Sequence, residues 1–303
     1  MTKPKVGMVG LGAIAQKAYL PILTNETDWD FVGAFSPSKD KRTKLCKQYR
    51  IQDYSSLSAL ASSCDAVFVH SSTSSHYEVI SELLSKGKDI YVDKPLASTI
   101  NDAEKLVKQS NKLGRKLMVG FNRRFAPMYI EAKQMANHLE WGSMEKHRSN
   151  KIGPYSYDFT MLDDYIHVVD TIRWLAGEEK LKLAYSNMKV NKDNQLQHAQ
   201  HIFESDNRTM FQTAMHRNAG SNLEQLELYA EGVTIRIKNM HTVEIEKNNR
   251  KTIQTPPSWD SVLKQRGFEG AVYHFIQCLN NDENPKIDGL EALRTQMAVT
   301  ELI

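Results

Sequence analysis

The sequence is poor in cysteine and has neither a long hydrophobic run nor a block of like charge. Its three cysteines, Cys46, Cys64 and Cys278, are odd in number and far apart, so we expect reduced thiols of a cytoplasmic protein and no disulfide or zinc framework. No apolar stretch approaches the roughly 18 residues of a membrane-spanning helix, and no secretory signal follows Met1. These absences argue against membrane insertion, export and thiol chemistry.

The charge of the chain is close to balanced. Lysines and arginines number 39 and aspartates and glutamates number 36, which gives a formal net charge of +3 at pH 7. A charge this small, without a basic cluster, argues against nucleic acid and anionic membrane as partners. We therefore expect the partners to be small molecules.

The length of 303 residues favours two domains, because single hydrophobic cores stop growing at about 250–300 residues. Hydrophobic residues make up 41% and charged residues 25% of the chain, so the composition is that of an ordinary globular protein. The pattern of the sequence changes after residue 121. We predict a first domain over residues 1–121 and a second over residues 122–303.

Short apolar runs alternate with longer amphipathic segments in the first 121 residues. Apolar runs joined by crossovers of helical length are typical of a parallel sheet with helices on both faces. The pattern predicts an α/β fold with a doubly wound, Rossmann-type sheet. The predicted strands are Val6–Val9, Phe31–Phe35, Ala66–His70, Asp89–Val92 and Leu117–Phe121.

The remaining residues predict an α+β domain with a mainly antiparallel, open sheet. Helices are expected near Pro127–Leu139 and Leu162–Leu175. Val233, Ile235 and Ile237 alternate with polar residues, which is typical of a strand with one wet face. Because a large apolar face is rarely left exposed, we expect a homodimer or homotetramer formed through this sheet, although helices of the chain could cover the same face. The other strands are predicted at about 181–191, 196–205, 208–217, 223–231 and 242–247.

A glycine motif follows the first predicted strand and opens a helix. The run Gly10-Leu11-Gly12-Ala13-Ile14-Ala15 matches the G-x-G-x-x-G/A fingerprint of dinucleotide-binding folds in the context that the fingerprint requires. Gly10 would allow the tight turn, Gly12 would let the backbone approach a pyrophosphate, and Ala15 would keep the helix close to the sheet. A chance glycine pair in a turn is the alternative. The predicted cofactor contacts here are Gly10, Gly12, Ala13 and Ile14.

The end of the second predicted strand lacks the acidic residue that usually binds the ribose 2′-hydroxyl of NAD. Ser36, Ser38 and Lys39 stand there instead, with Arg42 close behind. Hydroxyls and cations attract a 2′-phosphate, so these residues favour NADP over NAD as the cofactor. The alternative is that they are solvated residues at the start of a helix, where Ser36 and Asp40 act as caps.

The run Asp93-Lys94-Pro95 follows the fourth predicted strand, at the sheet edge where ligands of open α/β folds bind. The ammonium of Lys94 could donate a hydrogen bond to a substrate hydroxyl and stabilise the alkoxide that develops as a hydride leaves. A surface lysine in a loop is the alternative.

Three polar residues, Asp163, His167 and Asp170, share one face of a predicted helix, because residues three and four apart are neighbours. Asp163 could orient the imidazole of His167, a group suited to proton exchange near neutrality. A buried structural histidine and a metal site are the alternatives. The metal site lacks a further set of ligands, so no metal is predicted.

Five motifs stand in order along nearly the whole chain: Gly10 through Lys17, Ser71 through Val79, Val92 through Leu96, Val119 through Phe125, and Leu162 through Leu175. Together they resemble the motifs of the Gfo/Idh/MocA oxidoreductases, and of their MviM-like branch in particular. The resemblance implies an NAD(P)-dependent dehydrogenase or reductase acting on CH–OH groups.

The resemblance also implies roles for individual residues. Lys94 would be the lysine of the family's Glu-Lys-Pro motif. Asp163 and His167 would be its Asp-x-x-x-His pair, in which the histidine exchanges the hydroxyl proton. A purely structural role of His76 at a helix N-terminus is the alternative to cofactor binding. The implied cofactor contacts are Ser71, Ser72, Thr73, His76, Asp93, Lys94 and Asn122.

Three departures from the family pattern bear on the substrate. Asp93 replaces a glutamate, and Ser71-Ser72 replaces a Thr-Pro. Before His167, the large side chain of Phe159 and the pair Asp164-Tyr165 replace smaller or apolar residues. We therefore expect a sugar-like substrate that differs from simple inositols and aldoses.

Arginines and lysines near these motifs could favour a substrate with a carboxylate or phosphate, because arginine forks bind such groups bidentately. Arg123 and Arg124 follow the fifth predicted strand, and His147, Arg148 and Lys151 lie at the first strand of the second domain. Solvation and structural salt bridges are the commoner fate of such side chains. The predicted substrate contacts are Lys94, Asn122, Arg123, Arg148, Asp163, Tyr165 and His167.

The leading hypothesis is hydride transfer between a nicotinamide and a secondary hydroxyl of a sugar, cyclitol or related polyol, with Lys94, Asp163 and His167 as catalytic residues. One alternative is an NAD-dependent glycosidase whose redox step is transient. Another is a non-catalytic dinucleotide-binding sensor or interaction protein, because a fold does not fix a function. Net cofactor turnover distinguishes the first two, and the presence of all three residues argues against the sensor.

Overall fold

The computed structural model describes residues 3–25, 28–177 and 179–303. The chain divides into two compact units. The first consists of Met1–Phe121 and Phe268–Gln296, and the second of Asn122–Gly267 and Met297–Ile303. No helix in the described ranges is both long enough and apolar enough to cross a membrane.

The first unit contains a six-stranded parallel sheet in the order β3-β2-β1-β4-β5-β6. The connections leave β1 in one direction and β4 in the other, so the sheet has the switch point at which such folds bind ligands. The predicted doubly wound α/β fold is confirmed. The strands are β1 Lys5–Val9, β2 Asp30–Phe35, β3 Gln52–Asp53, β4 Ala66–Val69, β5 Asp89–Val92 and β6 Leu117–Val119.

Helices connect these strands, as the crossovers of a parallel sheet require. A π-helical turn, Ala15–Tyr19, precedes the first α-helix. Ser56 and Thr99 cap two of the helices by accepting the backbone N–H groups of Ala59 and Asp102. The helices of the first unit are α1 Leu20–Leu23, α2 Lys39–Tyr49, α3 Leu57–Ala61, α4 His76–Ser85 and α5 Ile100–Leu113, with a 3₁₀ turn at Thr73–Ser75.

The first unit differs from the predicted domain at its end, because Phe268–Gln296 returns to it. The backbone N–H of Val119 donates to Ile287 (3.1 Å), and the Gln296 side chain donates to the Ala97 carbonyl (2.8 Å). The ring of Phe275 packs edge-on against that of Phe68, with 5.5 Å between centroids. The second predicted domain, residues 122–303, therefore includes a helical segment that completes the first unit.

The second unit contains an eight-stranded sheet in the order β14-β13-β12-β11-β7-β10-β9-β8. Among the strands of the described residues, β7 with β10 is the one parallel pair of this sheet, so the sheet is mainly antiparallel, as predicted. The strands are β7 Leu139–His147, β8 Leu181–Val190, β9 Leu196–Ser205, β10 Met210–His216, β11 Leu223–Ala230, β12 Val233–Lys238, β13 Thr242–Lys247 and β14 Arg250–Gln254.

Helices of the chain itself cover one face of this sheet. The helix α6 packs against β12, and α8 packs against β7 and β10. Ile235 and Ile237 are fully buried within the chain, so the alternative that helices cover this face describes it, and the face gives no argument for an oligomer. The remaining helices are α6 Pro127–Met135, α7 Tyr157–Thr160, α8 Ile166–Ala176, α9 Val262–Gln265, α10 Phe268–Asn281 and α11 Gly289–Thr300, with a 3₁₀ turn at Asn122–Phe125 and a π-helical turn at Met161–Tyr165.

Candidate active site

The glycine turn after β1 has the backbone conformation that its sequence predicts. Gly10 has φ +89°, and a Cβ there would collide with the Ser71 nitrogen and lie 2.5 Å from the His70 oxygen. A Cβ on Gly12 would have only the His70 oxygen near it, at 3.8 Å. The turn therefore touches the end of β4 on one side, while the surface at Gly12 is open enough for a pyrophosphate to approach the backbone.

The loop after β4 and the loop after β5 are held together by buried and surface hydrogen bonds. The ring of His76 is 1% exposed, with Nδ1 2.9 Å from the Pro95 carbonyl oxygen and Nε2 3.3 Å from the Ser71 carbonyl oxygen. The Ser98 hydroxyl donates to the Thr73 carbonyl (3.1 Å). Burial lowers the pKa of His76, although its hydrogen bonds to backbone carbonyls act in the opposite direction. His76 therefore connects the two loops. These contacts support a structural role for His76 rather than the predicted contact with the cofactor.

The Asp93-Lys94-Pro95 run follows β5, with a cis peptide bond between Lys94 and Pro95. The backbone N–H of Asp93 donates to Val69 of the adjacent strand at 3.1 Å. Both Asp93 and Lys94 are half-buried. Lys94 thus lies at the carboxyl edge of the sheet, beside the loop that carries Ser71, Ser72 and Thr73 and on the same edge as the glycine turn.

The residues predicted to choose between NADP and NAD separate into two groups. Ser38 and Lys39 are exposed at the start of α2, where the Ser38 side chain makes no capping hydrogen bond. Ser36 is buried, and its carbonyl accepts a hydrogen bond from Arg42 Nη1 at 2.8 Å. Arg42 also bonds Asp53, so its guanidinium is engaged within the first unit and offers little to a phosphate. Ser38 and Lys39 are therefore accessible enough to contact a cofactor, as predicted for them. The buried side chain of Ser36 does not support the same prediction.

In the second unit, Asp163 and His167 lie on one continuous helical segment. Asp163 belongs to the π-helical turn and is exposed, whereas His167 is in the first turn of α8 and is 9% exposed. A π turn has one residue more than an α turn, so residues four apart remain neighbours, and such turns are frequent at functional sites. The orienting role of Asp163 remains a prediction.

Asp170, which the sequence places on the same face, has a different partner. Arg124 donates two hydrogen bonds to it, from Nε at 3.0 Å and from Nη2 at 2.6 Å, and its carboxylate is 1% exposed. This buried pair connects the 3₁₀ turn at Asn122–Phe125 to α8 and supports the helix that carries His167.

At the start of the second unit, two residues that were predicted to contact ligands are instead bonded to other groups of the protein. The side chain of Asn122 is 3% exposed, and its amide donates to the Arg266 carbonyl at 2.7 Å. Arg123 forms a buried bidentate pair with Glu224, at 2.5 Å from Nε and 2.7 Å from Nη2. Neither the cofactor role of Asn122 nor the substrate role of Arg123 is supported, because the polar atoms that would serve them are already bonded.

The substrate role of Tyr165 is likewise not supported. Tyr165 is fully buried; its hydroxyl lies 2.6 Å from His201 Nδ1 and donates to Thr213 at 2.7 Å. Arg148 is more accessible, with 36% of its side chain exposed, but it binds Asp164 through Nε and Nη2, both at 3.1 Å. No sequence signal identified these partners, which lie 16 to 48 residues away along the chain.

A buried aromatic and histidine cluster beneath the glycine turn escaped the sequence analysis. His70 stacks on Tyr19 with 3.8 Å between ring centroids, and the hydroxyl of Tyr19 lies 3.1 Å from that of Tyr91. Burial lowers the pKa of His70 to about 3, so the ring is neutral. The one available signal was a histidine at the end of an otherwise apolar strand. The cluster stiffens the ends of β4 and β5 under the loops described above.

The first unit thus fits a dinucleotide, since an open glycine turn begins a helix beside loops at the carboxyl edge of the sheet. The described part of the chain contains no group of three or more histidine, cysteine or acidic side chains arranged to hold a metal ion.

Comparison with family models identifies both parts of the chain. Residues 4–121 match the oxidoreductase family with an NAD-binding Rossmann fold, and residues 127–248 match the YceM-like C-terminal domain. A curated protein of Salmonella typhimurium, named "Putative oxidoreductase YceM", is 46% identical over 98% of this chain and 96% of its own length.

Two further relatives extend the comparison. A crystal structure of the dehydrogenase MviM from Clostridium difficile has a TM-score of 0.96 and 43% identity, and covers 99% of this chain and 98% of its own. The inositol 2-dehydrogenase/D-chiro-inositol 3-dehydrogenase of Lactiplantibacillus plantarum is 27% identical over 65% of this chain and 57% of its own length. The chain therefore belongs to the Gfo/Idh/MocA family of oxidoreductases, in the branch that contains YceM and MviM.

Proposed function

We propose that the protein catalyses reversible hydride transfer between NADP(H) and a secondary hydroxyl of a sugar, cyclitol or related polyol. The observation that carries this proposal is the arrangement at the carboxyl edge of the parallel sheet. There, Lys94 lies on a loop fixed by His76 to the loop after β4, which in turn touches the glycine turn. The inositol dehydrogenase relative supports a polyol as the substrate class.

Three side chains are assigned roles in the reaction. His167 removes the hydroxyl proton in the direction of oxidation and returns it in the direction of reduction. Lys94 donates a hydrogen bond to the same oxygen and stabilises its developing negative charge. Asp163 orients the imidazole of His167. The bound dinucleotide would accept or supply the hydride.

The dinucleotide is assigned to the first unit, with NADP preferred. Gly10, Gly12, Ala13 and Ile14 would face the pyrophosphate, and Ser38 and Lys39 would face the 2′-phosphate through exposed polar groups. Ser71, Ser72, Thr73 and Asp93 would line the nicotinamide. Three free cysteines agree with a reducing compartment, and we place the enzyme in the cytoplasm as a homodimer or homotetramer.

The first experiment is a fluorescence titration with NADPH and NADH on protein shown to be free of retained cofactor. We expect saturable binding with tighter binding of NADPH. The wild type and Lys94→Met are then assayed for turnover on a panel of polyols and sugar acids. Lys94→Met should leave NADPH binding largely intact and abolish turnover, because the stabilisation of the oxyanion is lost while the other cofactor contacts remain.

Lys108→Met is the matched control, since Lys108 is exposed on α5, away from the sheet edge. Its turnover and NADPH affinity should equal those of the wild type. Equal turnover in Lys94→Met and Lys108→Met would refute the role of Lys94. Tight dinucleotide binding without turnover of any substrate would instead indicate the sensor alternative, and turnover without net change of the cofactor would indicate the glycosidase.

A further inference from the structure

A cluster of six charged side chains lies on the helix-covered side of the second sheet. It comprises four cations and two carboxylates, namely Lys146, Arg148, Arg217, Arg123, Asp164 and Glu224. Arg123 and Glu224 neutralise each other as the buried bidentate pair described above. The other four, which we call the Asp164 cluster, consist of one carboxylate and three cations.

The three cations converge on a single carboxylate. Lys146 Nζ lies 2.5 Å from Asp164 Oδ1, and Arg217 Nη1 lies 2.5 Å from Asp164 Oδ2. Arg148 binds both oxygens at 3.1 Å. Burial acts to raise the pKa of Asp164, but Lys146 and Arg148 outweigh it, so the pKa lies well below its ordinary value. Asp164 therefore carries one full negative charge against three positive ones.

Two positive charges of the Asp164 cluster remain uncompensated. Lys146 is 2% exposed, and within the described residues its ammonium, with three N–H donors, has Asp164 as its one ion-pair partner. Burial and the nearby Arg123 lower the pKa of Lys146 to about 8, as expected for a buried cation with too little negative charge around it. Nη1 of Arg148 and Nη2 of Arg217 also have no protein acceptor in the described part of the chain.

The cluster is accessible to a ligand from one side. The Arg148 side chain is 36% exposed and that of Asp164 15%, whereas Lys146 is deeply buried behind them. Uncompensated buried charge is costly, and cations with free donors at the edge of such a cluster are the usual partners of carboxylates and phosphates.

The position of the cluster connects it to the reacting group. Asp164 follows Asp163 directly and precedes His167 by three residues on the same helical segment. An anion held by Arg148 and Arg217 would therefore bind close to the proposed proton acceptor. Because the helix is tied to the cluster through Asp164, the same contacts also fix the position of His167.

We propose that the Asp164 cluster is an anion-binding subsite for the substrate, and that the substrate is a polyol bearing a carboxylate or a phosphate. The assignment rests on the proposed function, since it takes the helix with Asp163 and His167 to be the one that handles the substrate proton. Arg148 and Arg217 contact the anion, and Lys146 is a positioning residue behind them.

The test is a calorimetric titration of the full chain without dinucleotide, at constant ionic strength, using phosphate, gluconate and uncharged myo-inositol as separate probes. We expect at least one anion to bind saturably at one site per chain. In Arg148→Gln its Kd should rise about tenfold or more, as expected for the loss of a charged hydrogen bond. Arg208→Gln is the matched control, because Arg208 is 88% exposed in a turn and forms a surface ion pair with Glu204.

The results with the phosphate and gluconate probes distinguish the two kinds of anionic substrate. Binding of phosphate alone assigns a phosphorylated polyol, and binding of gluconate assigns a sugar acid. Failure of both anions, or equal affinity in Arg148→Gln and Arg208→Gln, overturns the proposal. Arg217→Gln repeats the test should Arg148→Gln fail to fold. Because no dinucleotide is present, failure here leaves the redox function untouched, whereas failure of NADPH binding leaves the anion result standing.

Discussion

Single residues divide into those whose role is local and those whose role depends on a distant partner. The positive φ of Gly10 follows from its place between a strand and a helix, so the sequence predicts it directly. The substrate role of Arg123 was also predicted from its local position after a strand, but Arg123 pairs with Glu224, which is 101 residues away. A local motif cannot reveal that partner, and for this reason the substrate role suggested for Arg123 lacks support.

The pair of Arg123 and Glu224 makes stability depend on pH. Burial acts to raise the pKa of Glu224, but the charge and hydrogen bonds of Arg123 lower it from its ordinary 4.5 to about 2. A carboxyl whose pKa is lower in the folded state stabilises the fold above the unfolded value. We therefore expect this contribution to be complete above about pH 4.5 and to be lost as the pH falls towards 2.

Glu224→Gln should lower the free energy of unfolding by about 3–5 kcal/mol at pH 7, because it leaves the Arg123 guanidinium buried without a counter-charge. The loss should shrink between pH 4.5 and pH 2, where the wild type also loses its carboxylate. Denaturant unfolding at several pH values measures both effects. The control Glu246→Gln removes a carboxylate that is 39% exposed and pairs with Arg236, and should cost less than about 1 kcal/mol. Equal losses in the two variants would contradict the assignment.

At the scale of elements, hydrophobic pattern predicted most strands to within two residues. The pattern missed the two-residue β3 and the fully exposed β14, because neither has an apolar face, and it gave no bounds for β7. It also merged the π turn and α8 into one helix over Leu162–Leu175, and it did not predict α7. The π turn depends on a hydrogen bond from the Ile166 N–H to Met161, five residues back, and periodicity does not report that bond.

The start of α2 gives a test of cofactor choice. Ser38 and Lys39 are exposed there, whereas Arg42 is engaged by Asp53 and Ser36. Lys39→Asp should raise the Kd for NADPH about tenfold while leaving that for NADH near its wild-type value, because the loss of a charge-assisted bond to the 2′-phosphate affects NADPH alone. Parallel fluorescence titrations give the ratio.

Lys44→Asp is the control for this helix, since Lys44 is exposed further along α2 and carries the same charge. A general electrostatic effect would change NADPH binding equally in both variants. That result, or an unchanged ratio in Lys39→Asp, would remove Lys39 from the cofactor site.

At the scale of the whole molecule, the sequence predicted two fold types and a border at residue 121. It assigned residues 268–296 to the second domain, whereas they belong to the first unit, because an amphipathic helix shows that it packs on something without showing on what. It also read the apolar face of β12 as a candidate interface. That face is covered by α6, a helix that lies more than 90 residues earlier in the chain.

The prediction of a homodimer or homotetramer therefore needs a different surface. In the described part of the chain, β8 is the last strand on one side of the second sheet, and it carries Leu183 and Tyr185, which are 46% and 49% exposed. Exposed edges with large apolar side chains are places where chains associate. We expect light scattering at micromolar concentration to show a dimer or tetramer.

Tyr185→Glu should shift this population towards monomer, because association would bury a carboxylate without a partner. Leu113→Glu is the matched control: Leu113 is 42% exposed at the end of α5 in the first unit, so the same charge appears on an unrelated surface. A wild-type monomer would refute oligomerisation altogether. An oligomer that persists in both Tyr185→Glu and Leu113→Glu would place the interface away from β8. The next surface to mutate would then be the polar face of the sheet, where Trp141 stacks on Tyr229.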